Sequence, residues 1–136
     1  MIADTSGLLA LFNDREPAHA RVRAAIQATS DSIVVSPFVI AELDYLLTMR
    51  VGVEEALAVA RELAGGAYEI APIDAADVGR CADVVARYRD QGIGMTDASL
   101  VVLADRHTTR RILTLDRRHF DVLRPLTGGR FVLVGP

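Results

Sequence analysis

The sequence contains no lysine, so all 15 of its basic residues are arginines. A Walker phosphate loop and a receiver domain each require a lysine, and this absence excludes both classes. The 18 acidic residues slightly outnumber the arginines and give a formal net charge of -3. This charge balance does not by itself indicate a protein that binds nucleic acid.

Long apolar runs and paired cysteines are also missing. The longest apolar stretch, residues 98–104, includes a serine, whereas a membrane-spanning helix needs about 20 apolar residues. Cys81 is the only cysteine, so no internal disulfide can form and nothing indicates an oxidising compartment. Asp4 interrupts the first apolar residues and no basic segment precedes them, which argues against a secretory signal. We therefore expect a soluble, cytoplasmic protein without a membrane segment, folded as one domain over residues 1–136.

Short apolar runs alternate with helical patterns along the chain. The predicted strands are a run ending at Asp4 and the segments 33–35, 68–70, 112–115 and 131–134. The first predicted helix starts at residue 7 or 8. The other predicted helices cover residues 18–28, 37–49, 53–63, 74–89 and 97–106. Ser6, Ser36 and Thr96 are the expected N-caps of three of these helices. Strands separated by helices cannot be hairpins, and apolar runs without alternation indicate burial on both faces. The sequence therefore predicts an α/β fold with a mostly parallel central sheet of four to five strands covered by helices.

Four acidic residues occupy positions where an unpaired charge is costly. Asp4 and Asp116 each end a predicted strand, so their carboxylates meet at one edge of the sheet if those strands are neighbours. Asp97 begins a helix directly after a turn that contains glycine. Glu42 has only apolar residues three and four positions away on its helix, which predicts that its carboxylate lies on an apolar stripe. Asp44 has a similarly apolar neighbourhood, so a helix buried nearly all round could contain either acid.

Each of these acids also has a structural explanation, because such residues end strands, favour helix starts or bend towards solvent. Buried carboxylates without partners either become protonated or hold a cation. A cluster of oxygen ligands favours magnesium or manganese over zinc, and the three histidines, His19, His107 and His119, show no ligand spacing. Magnesium held by few carboxylates completes its shell with water and substrate phosphates, which indicates phosphoryl chemistry.

Four short blocks resemble the signature of PIN-domain nucleases. They are Asp4-Thr5-Ser6, Ala41-Glu42-Leu43, Thr96-Asp97-Ala98 and Leu113-Thr114-Leu115-Asp116. More narrowly, the chain resembles the VapC toxins of bacterial toxin-antitoxin modules, and this likeness includes the continuation from Asp116 to Phe120. Any one block is weak, but four blocks in the family's order, at compatible spacing across the whole chain, are a strong signal.

The resemblance implies a PIN-like three-layer sandwich and a Mg²⁺- or Mn²⁺-dependent endoribonuclease that hydrolyses phosphodiester bonds in structured cellular RNA. It also implies that a cognate antitoxin neutralises the protein and that the chain forms a homodimer. Carried over by position, the residues of the catalytic metal site would be Asp4, Glu42, Asp97 and Asp116. Ser6 and Thr114 would support this site by hydrogen bonds.

The sequence is also compatible with three other classes of protein. A haloacid-type phosphatase also begins with an aspartate after its first strand, but a second aspartate normally follows where this chain has Ser6. A metal-dependent DNA nuclease would share the acidic site, and a non-catalytic PIN-like interaction module would not need four intact acids. Arg117 and Arg118 could guide RNA towards the acidic site, or they could belong to a solvated surface.

Overall fold

The computed structural model describes all 136 residues, which form five strands and seven helices. The strands are β1 Ile2–Ala3, β2 Val34–Val35, β3 Glu69–Ile70, β4 Arg111–Leu113 and β5 Val132–Val134. The helices are α1 Thr5–Phe12, α2 His19–Gln27, α3 Pro37–Arg50, α4 Val53–Ala64, α5 Ala75–Arg87, α6 Met95–Arg106 and α7 Arg117–Phe120. None of these helices combines the length and the apolarity that a bilayer crossing requires.

The strands form one sheet in the order β3-β2-β1-β4-β5, and every neighbouring pair is parallel. β1 is the central strand, where Ile2 lies opposite Val34 on one side and Ile112 on the other. The chain leaves β1 towards β2 and β3 and returns to the other side of β1 for β4. Ligands of parallel sheets bind at such a reversal, outside the carboxyl ends of the strands. The α/β fold predicted from the sequence is confirmed.

The apolar runs without alternation are buried, as expected for strands covered on both faces. β1 and β2 are fully buried, whereas β3, at one edge of the sheet, is exposed. The apolar stretch 98–104 is the buried part of α6. Its serine, Ser99, donates a 2.7 Å hydrogen bond to the Thr96 carbonyl and lies 2.8 Å from the Ser36 hydroxyl. These bonds offset the cost of burying a polar side chain in the core.

Several predicted element boundaries differ from the structure. Ser36 caps α3 as predicted, but Asp4 caps α1, so that this helix begins at Thr5, before the predicted start. The reason is that the Asp4 carboxylate can reach the first free backbone N–H, while the Ser6 hydroxyl bonds elsewhere. Gly94 rather than Thr96 precedes α6. β4 ends at Leu113, so Asp116 does not end this strand but caps the short helix α7, which was not predicted.

α1 packs so closely on β4 that only glycine fits at position 7. A Cβ atom on Gly7 would lie 2.6 Å from the Leu113 carbonyl oxygen and 2.8 Å from its Cγ. We expect Gly7→Ala to lower the free energy of unfolding by about 1–3 kcal/mol through overpacking. The matched control is Gly79→Ala in α5, where nothing lies within 4 Å of the added atom. That change should raise stability by about 0.5–1 kcal/mol, because alanine favours a helix interior. Urea unfolding of both variants measures the contrast, and equal stabilities would show that α1 is not this close to β4.

Candidate active site

The four predicted acids line one pocket of about 440 Å³. Asp4 follows β1, Glu42 lies on α3, Asp97 is in the first turn of α6 and Asp116 caps α7. β1 and β4 are neighbouring parallel strands, so the loops that follow them meet at the same edge of the sheet. The pocket therefore lies where parallel sheets place their ligands.

The Asp4 carboxylate is buried and held by three hydrogen bonds of 2.7 Å each. The backbone N–H of Thr5 donates to Oδ1, and the hydroxyls of Ser6 and Thr114 both donate to Oδ2. The Ser6 hydroxyl in turn accepts a 2.9 Å hydrogen bond from the backbone N–H of Leu115. Only 6% of Asp4 is exposed, and these three hydrogen bonds offset the cost of burying its polar oxygens. Ser6 and Thr114 thus fix the orientation of Asp4 across the junction between β1 and β4.

Asp97 is the most perturbed acid of the site. The pKa of its carboxyl is raised from 3.8 to about 6, and burial is the largest cause. The nearby His119 acts to lower this pKa, and the carboxylates of Asp4, Asp116 and Glu42 make smaller upward contributions, in that order. A carboxyl that is desolvated beside three others is costly to ionise, which is the situation that a bound cation relieves.

His119 belongs to the site and was missed by the sequence analysis. Its Nδ1 lies 3.1 Å from Oδ2 of Asp97 and 3.2 Å from Oδ2 of Asp116, so the ring bridges the two acids. Two signals in the sequence include His119: the family-like continuation from Asp116 to Phe120, and its position three residues after Asp116, which places two side chains on one helical face. The other histidines lie elsewhere: Nδ1 of His19 is 2.8 Å from the Ala10 carbonyl, and His107 lies near an exposed glutamate.

The prediction that Glu42 lies on a buried apolar stripe is wrong. Glu42 is exposed and faces the pocket. α3 buries Val39, Leu43 and Leu47, so only one side of this helix packs against the core. Asp44 is exposed as well, but it does not line the acidic pocket. Apolar residues occur on both the buried and the open side of α3, and their spacing alone therefore did not identify its core face.

The donor chemistry of the pocket fits a hard divalent cation, because carboxylate oxygens dominate and no cysteine lines it. The side chains do not form a ready ligand shell, since no group of three His, Cys, Asp or Glu residues is arranged to hold a metal ion. Coordination of one ion by all four acids would require the side chains of Glu42, Asp97 and Asp116 to move, because three hydrogen bonds hold Asp4 in place.

The two arginines predicted to contact RNA are both exposed and do not line the acidic pocket. Arg118 lines an adjacent pocket of about 180 Å³ that shares His119 with the acidic pocket. Arg117 lines neither pocket.

The chain matches a known protein family over most of its length. The PIN domain matches residues 1–124, and the chain belongs to the PIN-domain family. Within that family it is 58% identical over 134 residues to Ribonuclease VapC26 of Mycobacterium tuberculosis, an alignment that covers 98% of this chain and 99% of the relative.

Solved structures share the fold at much lower identity. VapC20 of M. tuberculosis, described as a Sarcin-Ricin loop cleaving toxin, superposes with a TM-score of 0.85 at 19% identity, covering 99% of this chain and 98% of that one. A toxin-antitoxin complex from Klebsiella pneumoniae gives a TM-score of 0.67 at 18% identity, with coverage of 90% and 91%. VapBC2 from Rickettsia felis, bound to a DNA fragment from its promoter, gives 0.66 at 17% identity, with coverage of 97% and 95%. These three likenesses support the assignment of the α/β fold to this chain.

Proposed function

We propose that this chain is an endoribonuclease toxin that hydrolyses phosphodiester bonds in structured cellular RNA and acts as one PIN-like domain over residues 1–136. The observation that carries the proposal is the convergence of Asp4, Glu42, Asp97 and Asp116 on one pocket at the carboxyl edge of the sheet. The high identity to a relative named as a ribonuclease supports RNA as the substrate.

The same four acids are the proposed ligands of Mg²⁺ or Mn²⁺. Their oxygen donors suit such hard cations. The pKa of Asp97 is raised chiefly by burial and to a smaller extent by the carboxylates of Asp4, Asp116 and Glu42, whose negative charge a cation would neutralise. When bound, an ion of this kind acidifies water and neutralises the charge that develops on phosphate oxygens. The pocket contains no cysteine, and its one serine, Ser6, donates its hydroxyl proton to the Asp4 carboxylate, with no histidine hydrogen-bonded to it that could make it a nucleophile.

The remaining residues of the site hold these acids in place. Ser6 and Thr114 orient Asp4 by donating to its Oδ2 atom. Thr114 also accepts a 2.9 Å hydrogen bond from the backbone N–H of Asp116, so one hydroxyl connects the acids that follow β1 and β4. His119 keeps Asp97 and Asp116 close to each other. Such support matters because catalysis depends on carboxylates that are already oriented before the substrate binds.

The proposed partners are a cognate antitoxin and a second copy of the chain. α3 exposes large apolar side chains beside the residues that line the pocket, with Tyr45 63% and Met49 68% exposed. Val53 and Leu57 of α4 are exposed too, at 56% and 42%. Apolar side chains of this size on a surface indicate contact with other proteins. We expect the antitoxin to place a basic side chain, preferably an arginine, against the acids of the pocket, since its fork binds carboxylates bidentately.

Cleavage of RNA should depend on a divalent ion. We expect total cellular RNA to be cut in the presence of Mg²⁺ or Mn²⁺ and to remain intact in excess chelator. The reason is that the four proposed ligands are carboxylates, which bind such ions through oxygen. Gel analysis of RNA and of single-stranded DNA of matched sequence, incubated in parallel, measures both metal dependence and substrate class. Full activity in chelator would contradict the metal site, and faster cutting of the DNA would identify a deoxyribonuclease.

A further inference from the structure

Arg50 is the only arginine among the 13 residues that line the acidic pocket. It is the last residue of α3, where it follows Glu42 and Leu46 at intervals of four residues. All three side chains line the pocket, as this spacing requires of residues on one face of a helix. Arg50 lies far in sequence from Arg117 and Arg118, the arginines predicted to contact RNA.

The guanidinium of Arg50 is exposed and forms no ion pair, although four carboxylates line the same pocket. Other arginines of the chain do have acidic partners, such as Arg80 with Asp105 at 2.6 Å and Arg106 with Asp77 at 3.0 Å. An unpaired arginine at a pocket remains available to an incoming anion. It can bind a phosphate with two parallel hydrogen bonds, which a lysine cannot do.

An acidic pocket is a poor site for a polyanion unless positive charge beside it holds the substrate. A cation bound by the carboxylates would neutralise the scissile phosphate but not its neighbours in the RNA chain. We propose that Arg50 is a positioning residue that binds a phosphate next to the scissile bond. This assignment rests on the proposed ribonuclease function and concerns a residue outside the four acids.

Another explanation for Arg50 is its place in the last turn of α3, where a basic side chain stabilises the helix dipole. Arg61 provides a control matched for this effect. It lies in the last turn of the neighbouring helix α4, is exposed, forms no ion pair and does not line the acidic pocket. Loss of a helix-dipole contribution should affect both arginines alike, whereas loss of a phosphate contact should affect only Arg50.

The test compares Arg50→Ala, Arg50→Lys and Arg61→Ala with the wild type. One measurement is the initial rate of cleavage at increasing concentrations of total cellular RNA, which separates KM from kcat. The other is the Kd for a short labelled stem-loop RNA at several salt concentrations, with Asp4→Asn added to each chain to prevent cleavage. We expect Arg50→Ala to raise KM and Kd about tenfold with a smaller effect on kcat. The dependence of log Kd on log salt should become shallower by about 0.7 to 0.9, the value for one phosphate contact.

The variants distinguish the possible results. Arg50→Lys should restore the salt dependence but only part of the affinity, because it keeps the charge and loses the bidentate contact. Arg61→Ala should behave like the wild type. If Arg50→Ala has the same KM and the same salt dependence as Arg61→Ala, Arg50 does not bind a substrate phosphate. If the wild type itself neither binds nor cleaves RNA, the proposed function is wrong, and Arg50 does not bind an RNA phosphate either.

Discussion

Asp4→Asn, Glu42→Gln and Asp97→Asn should each reduce RNA cleavage by at least about 100-fold while the protein remains folded. The estimate is a lower bound, because replacing even the residues that support metal ligands costs about 10- to 100-fold. Each change removes one charge at nearly constant shape, and all three side chains line the acidic pocket. Initial rates on cellular RNA at saturating Mg²⁺ or Mn²⁺ measure the loss, and circular dichroism checks the fold.

α3 contains a matched control for Glu42. Asp44 is an exposed acid on the same helix, two residues away, and it does not line the pocket. Asp44→Asn should therefore cleave RNA at the wild-type rate. Equal losses in Glu42→Gln and Asp44→Asn would indicate a general effect of surface charge, and undiminished cleavage by Asp4→Asn or Asp97→Asn would overturn the assignment of the site.

The stability of the protein should depend on pH through Asp97. Its pKa is about 6 in the folded chain against 3.8 for an ordinary aspartate, so between these values the folded state binds more protons than the unfolded state. Stability contributed by this group is therefore complete below about pH 4 and is lost as the pH rises to about 6. The free energy of unfolding should decrease by no more than about 3 kcal/mol over this range, at about 1.36 kcal/mol per pKa unit.

Asp97→Asn removes this ionisation, so the difference in stability between the variant and the wild type should grow as the pH rises from 4 to neutral. In chelator at neutral pH the variant should melt at a higher temperature than the wild type, whereas at pH 4 the two should be similar. Mg²⁺ should raise the midpoint of the wild type more than that of the variant, because ligand binding stabilises the folded state by mass action.

Thermal melts in chelator and in excess Mg²⁺, at both pH values, provide the measurement. An Asp97 that served only to favour the start of α6 would give the opposite result. Asp97→Asn would then lose about 0.3–1 kcal/mol at neutral pH with or without metal. That outcome, together with an equal effect of Mg²⁺ on both proteins, would exclude Asp97 from a metal-binding cluster.

The parallel sheet could be predicted from the sequence because its signals are local. Buried strands appear as apolar runs without alternation, and the helices between them exclude hairpins. The Ser36 cap of α3 was also predictable, since a serine before a proline marks a helix start. The positions of Asp4 and Asp97 followed from the same local signals and from the resemblance of short blocks.

The remaining features of the site depend on contacts between distant parts of the chain. The exposure of Glu42 is set by which side of α3 packs on the core, and helical spacing does not determine that side when apolar residues occur on both. His119 reaches Asp97 only because α7 folds back over the start of α6, a contact that no local pattern encodes. The hydrogen bond from Thr114 to Asp4 likewise joins residues 110 positions apart.

This last contact bears on when the protein becomes active during its synthesis. β1 and Asp4 leave the ribosome well before the strand and the hydroxyl that complete their environment, because β4 and Thr114 are translated more than 100 residues later. A nascent chain that ends before β4 already contains Asp4, Glu42 and Asp97, yet its central strand lacks one neighbour and its first acid lacks a donor. Contacts of such long sequence separation form late, after the loop-closure entropy has been overcome. The ribosome that makes this protein is thus exposed to the complete set of four acids only after β4 and Asp116 have emerged.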